Sequence, residues 1–173
     1  METYLLAGAL VVAVVGAGWD LFTYRIPNKL TYAAMLAGVL SHVILERWVG
    51  LYRGLAGLLL GGGIFLFLYL LRTMGAGDVK LMAAVGAFAG PSKILEIALY
   101  SAIAGGILAL FVAIFKGRLR QTFRNLMDML RFHSAVGAEV HPTLNLENPE
   151  ALRFAYGVAI FAGTLVEFVN YVR

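Results

Sequence analysis

Long apolar runs separated by short polar segments dominate the chain. Most runs approach the ~20 residues that a helix needs to cross a bilayer. The pattern predicts six spans, at residues 3–22, 29–46, 53–72, 78–90, 92–115 and 150–172. The fourth run is shorter than the others, because it ends early at Gly90-Pro91. We therefore predict an all-α fold, a polytopic membrane helix bundle with about six transmembrane helices in one domain, residues 1–173.

Helix start signals agree with several of these boundaries. Asn28 follows Pro27 and precedes an apolar run, and Ser92 follows Pro91. Asn148-Pro149-Glu150 combines an N-cap, a proline at the first helical position and an acid in the first turn. The start at Met1-Glu2-Thr3 lacks the basic region of a signal peptide, so we expect the first apolar run to be a retained helix.

Two pairs of glycines inside the apolar runs have a spacing that favours close helix packing. Gly57 and Gly61 are four residues apart, and so are Gly86 and Gly90. Residues without side chains at this spacing lie on one helix face and let a second backbone approach. We expect these glycines to serve packing.

The composition agrees with a membrane protein and excludes several functions. Hydrophobic residues make up 61% of the chain and charged residues only 14%, whereas a soluble domain carries roughly 25% charged residues. The absence of cysteine excludes a disulfide framework, a thiol nucleophile and a cysteine-ligated zinc. The net charge is +4, but the basic residues cluster by loop. This clustering indicates membrane topology, with the lipid bilayer and no nucleic acid as a partner.

The distribution of lysine and arginine predicts the orientation. With the N-terminus outside, the ten basic residues on the cytoplasmic side are Arg25, Lys29, Arg72, Lys80, Lys116, Arg118, Arg120, Arg124, Arg131 and Arg153. The four that remain outside are Arg47, Arg53, Lys93 and Arg173. This bias predicts a multi-pass protein of the inner, cytoplasmic membrane.

Residues 116–149 form the only sizeable loop predicted, and it is expected to be cytoplasmic. Its first half has apolar residues at helical spacing: Leu119, Phe123, Leu126, Met127 and Leu130. Three arginines are interleaved with them: Arg118, Arg124 and Arg131. Two interpretations remain open, an amphipathic helix on an anionic inner leaflet or a solvated helix that covers the bundle.

Two aspartates lie at the ends of apolar runs. Asp20 closes the first run, and Asp78 opens the fourth within Gly75-Ala76-Gly77-Asp78. Each has an ordinary explanation, because Asp20 could pair with Arg25 or Lys29 at the membrane surface and Asp78 could be a helix cap. A carboxylate at membrane depth is costly, however, and usually persists for function. Two such carboxylates on one side of the membrane suggest aspartyl chemistry, in which an acid and a base activate a water molecule.

The glycines before Asp78 add a physical reason for protease chemistry. A protease must bring its backbone close to an extended substrate, and Gly75 and Gly77 leave room for that approach. Their amides are also available to pair with a substrate strand.

These motifs together resemble those of a known family. Asp20 with Arg25-Ile26-Pro27-Asn28, and Gly75-Ala76-Gly77-Asp78-Val79-Lys80-Leu81 leading into Ala84-Val85-Gly86-Ala87, resemble the type IV prepilin peptidases, which are GxGD-type intramembrane aspartyl proteases. Tyr156-Gly157-Val158-Ala159-Ile160 resembles the last helix of that family. The resemblance implies that Asp20 and Asp78 are the catalytic pair, with no cofactor and no metal. It implies substrate-binding or site-shaping roles for Gly75, Gly77, Lys80, Arg25, Pro27 and Asn28.

The resemblance also implies a substrate. The family removes a short basic leader at the cytoplasmic face from prepilin or pseudopilin precursors, whose N-terminal helix is hydrophobic. Larger members carry a cytoplasmic insertion, often with a cysteine-ligated zinc, and methylate the new N-terminus. This chain has no cysteine and only a short loop between its first two spans, so it resembles the small, peptidase-only members.

Two functions of other classes remain as alternatives. A proton-coupled transporter subunit would place its carboxylates near the middle of the membrane and show symmetry between halves. A non-enzymatic assembly factor of a pilus or secretion system would tolerate replacement of both aspartates. Among the other polar residues, Glu96 and Glu167 are expected to pair with Lys93 or Arg173 near the outer helix ends. His42 and Glu46 are four residues apart, which is a weak metal signal and more often structural.

Overall fold

The computed structural model describes residues 2–137, 139–142, 144 and 155–173, and every regular element in these ranges is an α-helix. The helices are α1 (Glu2–Thr23), α2 (Asn28–Leu70), α3 (Ala76–Phe115), α4 (Leu119–Val136) and α5 (Tyr156–Val172). Three of them, α1, α2 and α3, are long and apolar enough to cross a membrane, and α5 is a shorter apolar helix. The prediction of an all-α membrane bundle is confirmed, and the count of six spans stays a prediction.

One predicted boundary lies outside the described residues. The helix start at Asn148-Pro149-Glu150, Arg153 and the beginning of the predicted span 150–172 all fall there. The described part of that span is α5, which begins at Tyr156 after Ala155 in extended conformation.

The long helix α2 reverses direction at Arg47. This residue has φ 55° and ψ −125°, in the left-handed region that favours glycine. After the reversal the chain runs back along its own first half, so that a Cβ placed on Gly54 would lie 3.5 Å from the Cβ of Val39. In an unbroken helix these two positions would be about 22 Å apart. The sequence pattern predicted a connection over 47–52, but helical conformation resumes directly after Arg47.

Two contacts hold this tight reversal together. Glu46 and Arg53 form a salt bridge of 2.7 Å across it. A Cβ at Gly50 would collide with the backbone carbonyl of His42, so the absence of a side chain at this position permits the close return. A non-glycine residue in the left-handed region is strained, and these contacts offset the strain at Arg47.

The helix α3 reverses in the same way at Gly90, as Gly90-Pro91 predicted. Gly90 has φ 74° and ψ 175°, and Pro91 follows with no backbone N–H to donate. A Cβ at Gly86 would lie 3.2 Å from Cγ1 of Ile94, which places the two halves of α3 side by side. Nε2 of His42 lies 3.0 Å from the carbonyl oxygen of Phe88 and donates to this helix-end acceptor. His42 therefore has a structural partner in the described chain.

The first half of α3, residues 76–89, lies at the centre of the bundle. Residues 81–87 are buried on every face, and α1, α2 and α5 surround them. A Cβ on Gly57 would collide with the carbonyl oxygen of Gly86, and one on Gly86 would collide with that of Gly57. The expected packing role is confirmed for Gly57 and Gly86, since only glycine allows the second half of α2 this close to α3, whereas Gly90 serves the reversal of α3.

The helices divide the polar residues between two ends of the bundle. One end holds Glu2, both reversals and Lys93, whose ammonium lies 2.8 Å from Glu167 and 3.6 Å from Glu96. The pairing of both glutamates with Lys93 is confirmed. The opposite end holds the C-terminal turn of α1, the starts of α2, α3 and α5, and α4. Asp20 and Asp78 lie at this second end, and the orientation of the bundle in the membrane stays a prediction.

The reversal at Arg47 can be tested with an engineered disulfide, because the chain has no native cysteine. In a Val39→Cys/Gly54→Cys variant the two Cβ atoms would be 3.5 Å apart, at the short end of the disulfide range of about 3.5–4.5 Å. We expect mild oxidation to bridge them, as detected by mass spectrometry of the linked peptides. A Val39→Cys/Gly63→Cys control, whose second position contacts nothing within 4 Å, should stay reduced. A first variant that stays reduced would contradict the reversal.

Candidate active site

Asp20 is held in place by the first turn of the last helix. Its side chain is buried, and its Oδ2 accepts a hydrogen bond of 2.8 Å from the backbone N–H of Gly157. Amides in the first turn of a helix have no partner within the helix, and this end of the helix dipole attracts negative charge. The ordinary explanation of Asp20 by pairing with Arg25 or Lys29 is wrong, because neither forms a salt bridge with it in the described chain.

Gly157 allows this contact because it has no side chain. A Cβ at this position would lie 3.0 Å from both Cβ and Oδ2 of Asp20 and 3.3 Å from Cα of Ala17. The crowding comes from the backbone and the first side-chain atoms of α1, which cannot move aside easily. Sequence reasoning included Gly157 in the last-helix segment but gave it no role, since the contact joins residues 137 positions apart.

Asp78 lies in the first turn of α3 and caps it. Its Oδ2 accepts a hydrogen bond of 3.2 Å from the N–H of Gly75, the N-cap residue. The ordinary explanation of Asp78 as the N-cap residue is wrong in position, because Gly75 is the N-cap and Asp78 completes the cap from the third helical position. The same side chain is only half-buried, so it remains more accessible than Asp20.

The two glycines before Asp78 have different surroundings. A Cβ on Gly75 would lie 3.2 Å from Oδ2 of Asp78, which is tight. A Cβ on Gly77 would meet only Ile26, at 3.4 Å or more, which is ordinary van der Waals contact. The fold therefore tolerates a methyl group at Gly77 more readily than at Gly75.

The fold brings Asp20 and Asp78 together from two different helices. Their carboxyl groups lie within range of direct electrostatic interaction. Neither carboxyl forms a salt bridge with any residue that the structure describes. Two carboxyl groups that share a site cannot both ionise cheaply, so one tends to hold a proton while the other is charged. This arrangement can supply a general acid and a general base at one point.

The motif residues around the pair tie α2 to α3. Nζ of Lys80 donates a 2.8 Å hydrogen bond to Oδ1 of Asn28 and lies 5.5 Å from the ring centre of Tyr32. Pro27 is the N-cap residue of α2, and its φ of −63° suits the start of a helix. Arg25 is exposed at the same end of the bundle. The contact between Lys80 and Asn28 thus links the starts of α2 and α3, and the side chain of Arg25 is exposed beside them.

Tyr156 is a second residue whose role the sequence did not indicate. Its ring packs edge-on against Phe65 at 5.9 Å, and its hydroxyl donates to the carbonyl oxygen of Ser101 at 3.3 Å. It also lies within electrostatic range of Asp78. In the sequence, the only indication of a role for Tyr156 was its place beside Gly157 in the segment that resembles the last helix of the family. As for metals, no three potential ligands among His, Asp and Glu cluster within the described residues.

Comparison with known families agrees with this geometry. Residues 5–110 match the Type IV leader peptidase family. The chain belongs to this family. The matched region contains both aspartates, the segment 25–28 and the glycines before Asp78, whereas Tyr156 and Gly157 lie beyond it.

Individual members of the type IV leader peptidase family are similar to this chain over most of its length. A prepilin leader peptidase/N-methyltransferase of Xanthomonas campestris pv. campestris is 33% identical over 129 residues, which are 66% of this chain and 43% of that protein. A protein with the same description from Burkholderia pseudomallei strain 1026b is 31% identical over 130 residues, or 69% of this chain and 40% of the relative. The chain thus spans less than half the length of these relatives. No solved structure matches it.

The contact between α1 and α5 can be tested by adding one methyl group. We expect Gly157→Ala to lower the free energy of unfolding by about 1–3 kcal/mol, because the Cβ would overpack against Asp20 and Ala17. The matched change Gly18→Ala, at a helical glycine with nothing within 4 Å, should leave stability unchanged or raise it slightly. Thermal unfolding in detergent measures both. Equal effects of the two changes would contradict the contact.

Proposed function

We propose that this protein is an intramembrane aspartyl endopeptidase that removes the short basic leader from prepilin-like precursors. The observation that carries the proposal is the meeting of Asp20 and Asp78, from two separate helices, at one end of a membrane bundle. Membership of the type IV leader peptidase family supports a peptidase that acts on prepilins. The names of the relatives, which are prepilin leader peptidases, support the same substrate class.

In the proposed mechanism the two aspartates exchange protons with water and substrate. The ionised carboxylate takes a proton from a water molecule, and the water oxygen bonds to the scissile carbonyl carbon. The protonated carboxyl donates its proton to the carbonyl oxygen. The aspartate that took the proton of the water then passes it to the amide nitrogen, while the other aspartate takes back a proton from one hydroxyl, and the C–N bond breaks to release the leader. No residue outside the pair is required to gain or lose a proton, and either aspartate can take either role.

The surroundings of the pair fit an extended, basic peptide. Gly77 is only half-buried and has no side chain, which leaves its backbone accessible to a substrate backbone beside Asp78. Uncompensated negative charge at the site favours approach of a basic leader. The hydrophobic helix that follows the leader would remain in the bilayer beside the bundle. We place the site at the cytoplasmic face of the inner membrane, with the N-terminus outside, on the charge distribution.

We also propose that this chain acts as a peptidase alone. Its relatives are named as methyltransferases as well, whereas only residues 24–27 separate α1 from α2 in this chain and leave no room there for an insertion. The chain has no cysteine, so it cannot provide a cysteine-ligated zinc. The two alternative functions have less support. Asp20 lies in the last turns of α1 and Asp78 in the first turn of α3, not at the mid-membrane depth that a transporter would use.

The dyad predicts loss of cleavage when either carboxyl is replaced by an amide. We expect Asp20→Asn and Asp78→Asn each to lower the cleavage rate at least ~100-fold, because an amide serves neither as general acid nor as general base. The measurement is cleavage of a prepilin with a basic leader by purified protein in liposomes. Asp128→Asn, at an exposed aspartate on α4, is the matched control and should retain full activity.

Several outcomes of this experiment would contradict the proposal. Substantial cleavage by either folded variant would exclude the dyad. Failure of the folded wild-type protein to cleave any of several prepilins would favour the transporter or the assembly factor. Helical content and thermal unfolding of each variant separate loss of chemistry from loss of fold.

Gly77 allows substrate approach to be tested separately from stability. We expect Gly77→Ala to leave thermal unfolding unchanged, because its Cβ would meet Ile26 only at ordinary contact distance. We expect kcat/KM to fall at least about tenfold, because the methyl group would displace a substrate backbone from the reacting geometry. Gly63→Ala, at an open helical position, is the matched control for both measurements. An unchanged kcat/KM for Gly77→Ala would show that the substrate does not pass this residue.

A further inference from the structure

The helix α4 does not pack on the bundle through its apolar face. None of its residues is buried, and its large apolar side chains are about half exposed. These side chains are Leu119, Phe123, Leu126 and Leu130, which we call the apolar stripe. At about 100° per residue they fall within an arc of about 60° on one side of the helix. This exposure favours the interpretation of α4 as an amphipathic helix on a membrane surface over that of a solvated helix that covers the bundle.

A row of arginines runs beside the apolar stripe. Arg120, Arg124 and Arg131 fall within an arc of about 40°, centred roughly 110° from the middle of the stripe. Asp128 is the only acidic residue in α4. The helix therefore combines the apolar stripe with a positively charged flank, which is an arrangement found in helices that lie in the membrane interface.

The position of α4 in the chain places it at the membrane surface. It begins at Leu119, four residues after α3 ends at Phe115, and Gly117 in the turn between them has φ 65°. Because α3 is a membrane-spanning helix, so short a connection keeps α4 close to the level at which α3 leaves the apolar core. This is the end of the bundle that carries Asp20 and Asp78.

We propose that α4 is a binding surface for anionic lipids and lies flat on the bilayer at the Asp20–Asp78 end. The apolar stripe enters the boundary between headgroups and acyl chains, and the arginine row contacts lipid phosphates. Charge complementarity favours this occupant over the basic leader of a substrate, which the arginines would repel. The proposal does not depend on protease activity, since it needs only the insertion of α1, α2 and α3 in a bilayer.

The proposal can be tested on the full chain in nanodiscs with tryptophan as a depth probe. Trp19 and Trp48 are the two native tryptophans, and both are replaced by phenylalanine. Phe123→Trp then reports on the apolar stripe, and Gln121→Trp, roughly 170° from the middle of the stripe, is the matched control. We expect brominated lipids to quench the Phe123→Trp emission at least twofold more than that of Gln121→Trp. Equal quenching of the two variants would overturn the proposal.

The role of the arginine row is tested in the same preparation. We expect the quenching of Phe123→Trp to increase when about a third of a neutral phosphatidylcholine bilayer is replaced by phosphatidylglycerol. Replacing Arg120, Arg124 and Arg131 by alanine should remove most of this increase, whereas replacing them by lysine should retain it. Loss of the increase with lysine would exclude a charge-based lipid surface, as would an increase that persists with alanine.

A protein occupant of the apolar stripe would give a different result. If a second copy covered it, the Phe123→Trp emission would be shielded from both brominated lipid and aqueous iodide, and the shielding would depend on having two copies in one nanodisc. That result would overturn the lipid proposal. Because α4 has no buried residue, these substitutions should not unfold the bundle, and the helical content of each variant confirms this.

Discussion

The hydrogen bond from the N–H of Gly157 to Oδ2 of Asp20 is the interaction on which the site depends. It joins the last turn of the first helix to the first turn of the last helix. It gives a buried carboxylate a fixed partner without adding a positive charge beside it. Without this contact Asp20 would have no observed partner in the described chain, and its position relative to Asp78 would not be defined. Glycine favours the contact, because a Cβ at this position would lie only 3.0 Å from Cβ and Oδ2 of Asp20.

The reversal at Arg47 brings Asp78 to the same end as Asp20, and the reversal at Gly90 returns the chain to that end after Asp78. Each turns a long apolar run back on itself, so first the start of α3 and then its end return to the level at which α1 ends. The close approach of Gly57 and Gly86 then presses the second half of α2 onto the central half of α3. Rigid, buried helices on all sides support a site of two carboxyl groups better than loops would. The hydrogen bond from the N–H of Gly75 to Oδ2 of Asp78 restrains the orientation of the Asp78 side chain.

The proposed active site and the proposed lipid surface lie at one end of the molecule. The aspartates, the Lys80–Asn28 contact and α4 with its arginine row all lie there. The other end is closed by Lys93 with Glu96 and Glu167, and by Glu46 with Arg53. The proposed substrate, with a basic leader and a hydrophobic helix, would have its polar and apolar parts divided at the membrane surface. The proposed site at one end of the bundle, beside α4, would match that division.

The sequence by itself determined the helical class, the break at Gly90-Pro91, the packing glycines and the two aspartates as candidates. These features depend on local properties, namely hydrophobic run length, glycine and proline geometry, and the cost of a carboxylate at membrane depth. Only the tertiary structure decided that Gly157 holds Asp20, that Tyr156 lies near Asp78 and that α2 turns at Arg47 with no loop. The first two features depend on contacts between residues far apart in the chain, and the turn at Arg47 depends on neighbouring contacts that offset backbone strain. A local sequence pattern carries no information about such contacts or about such strain.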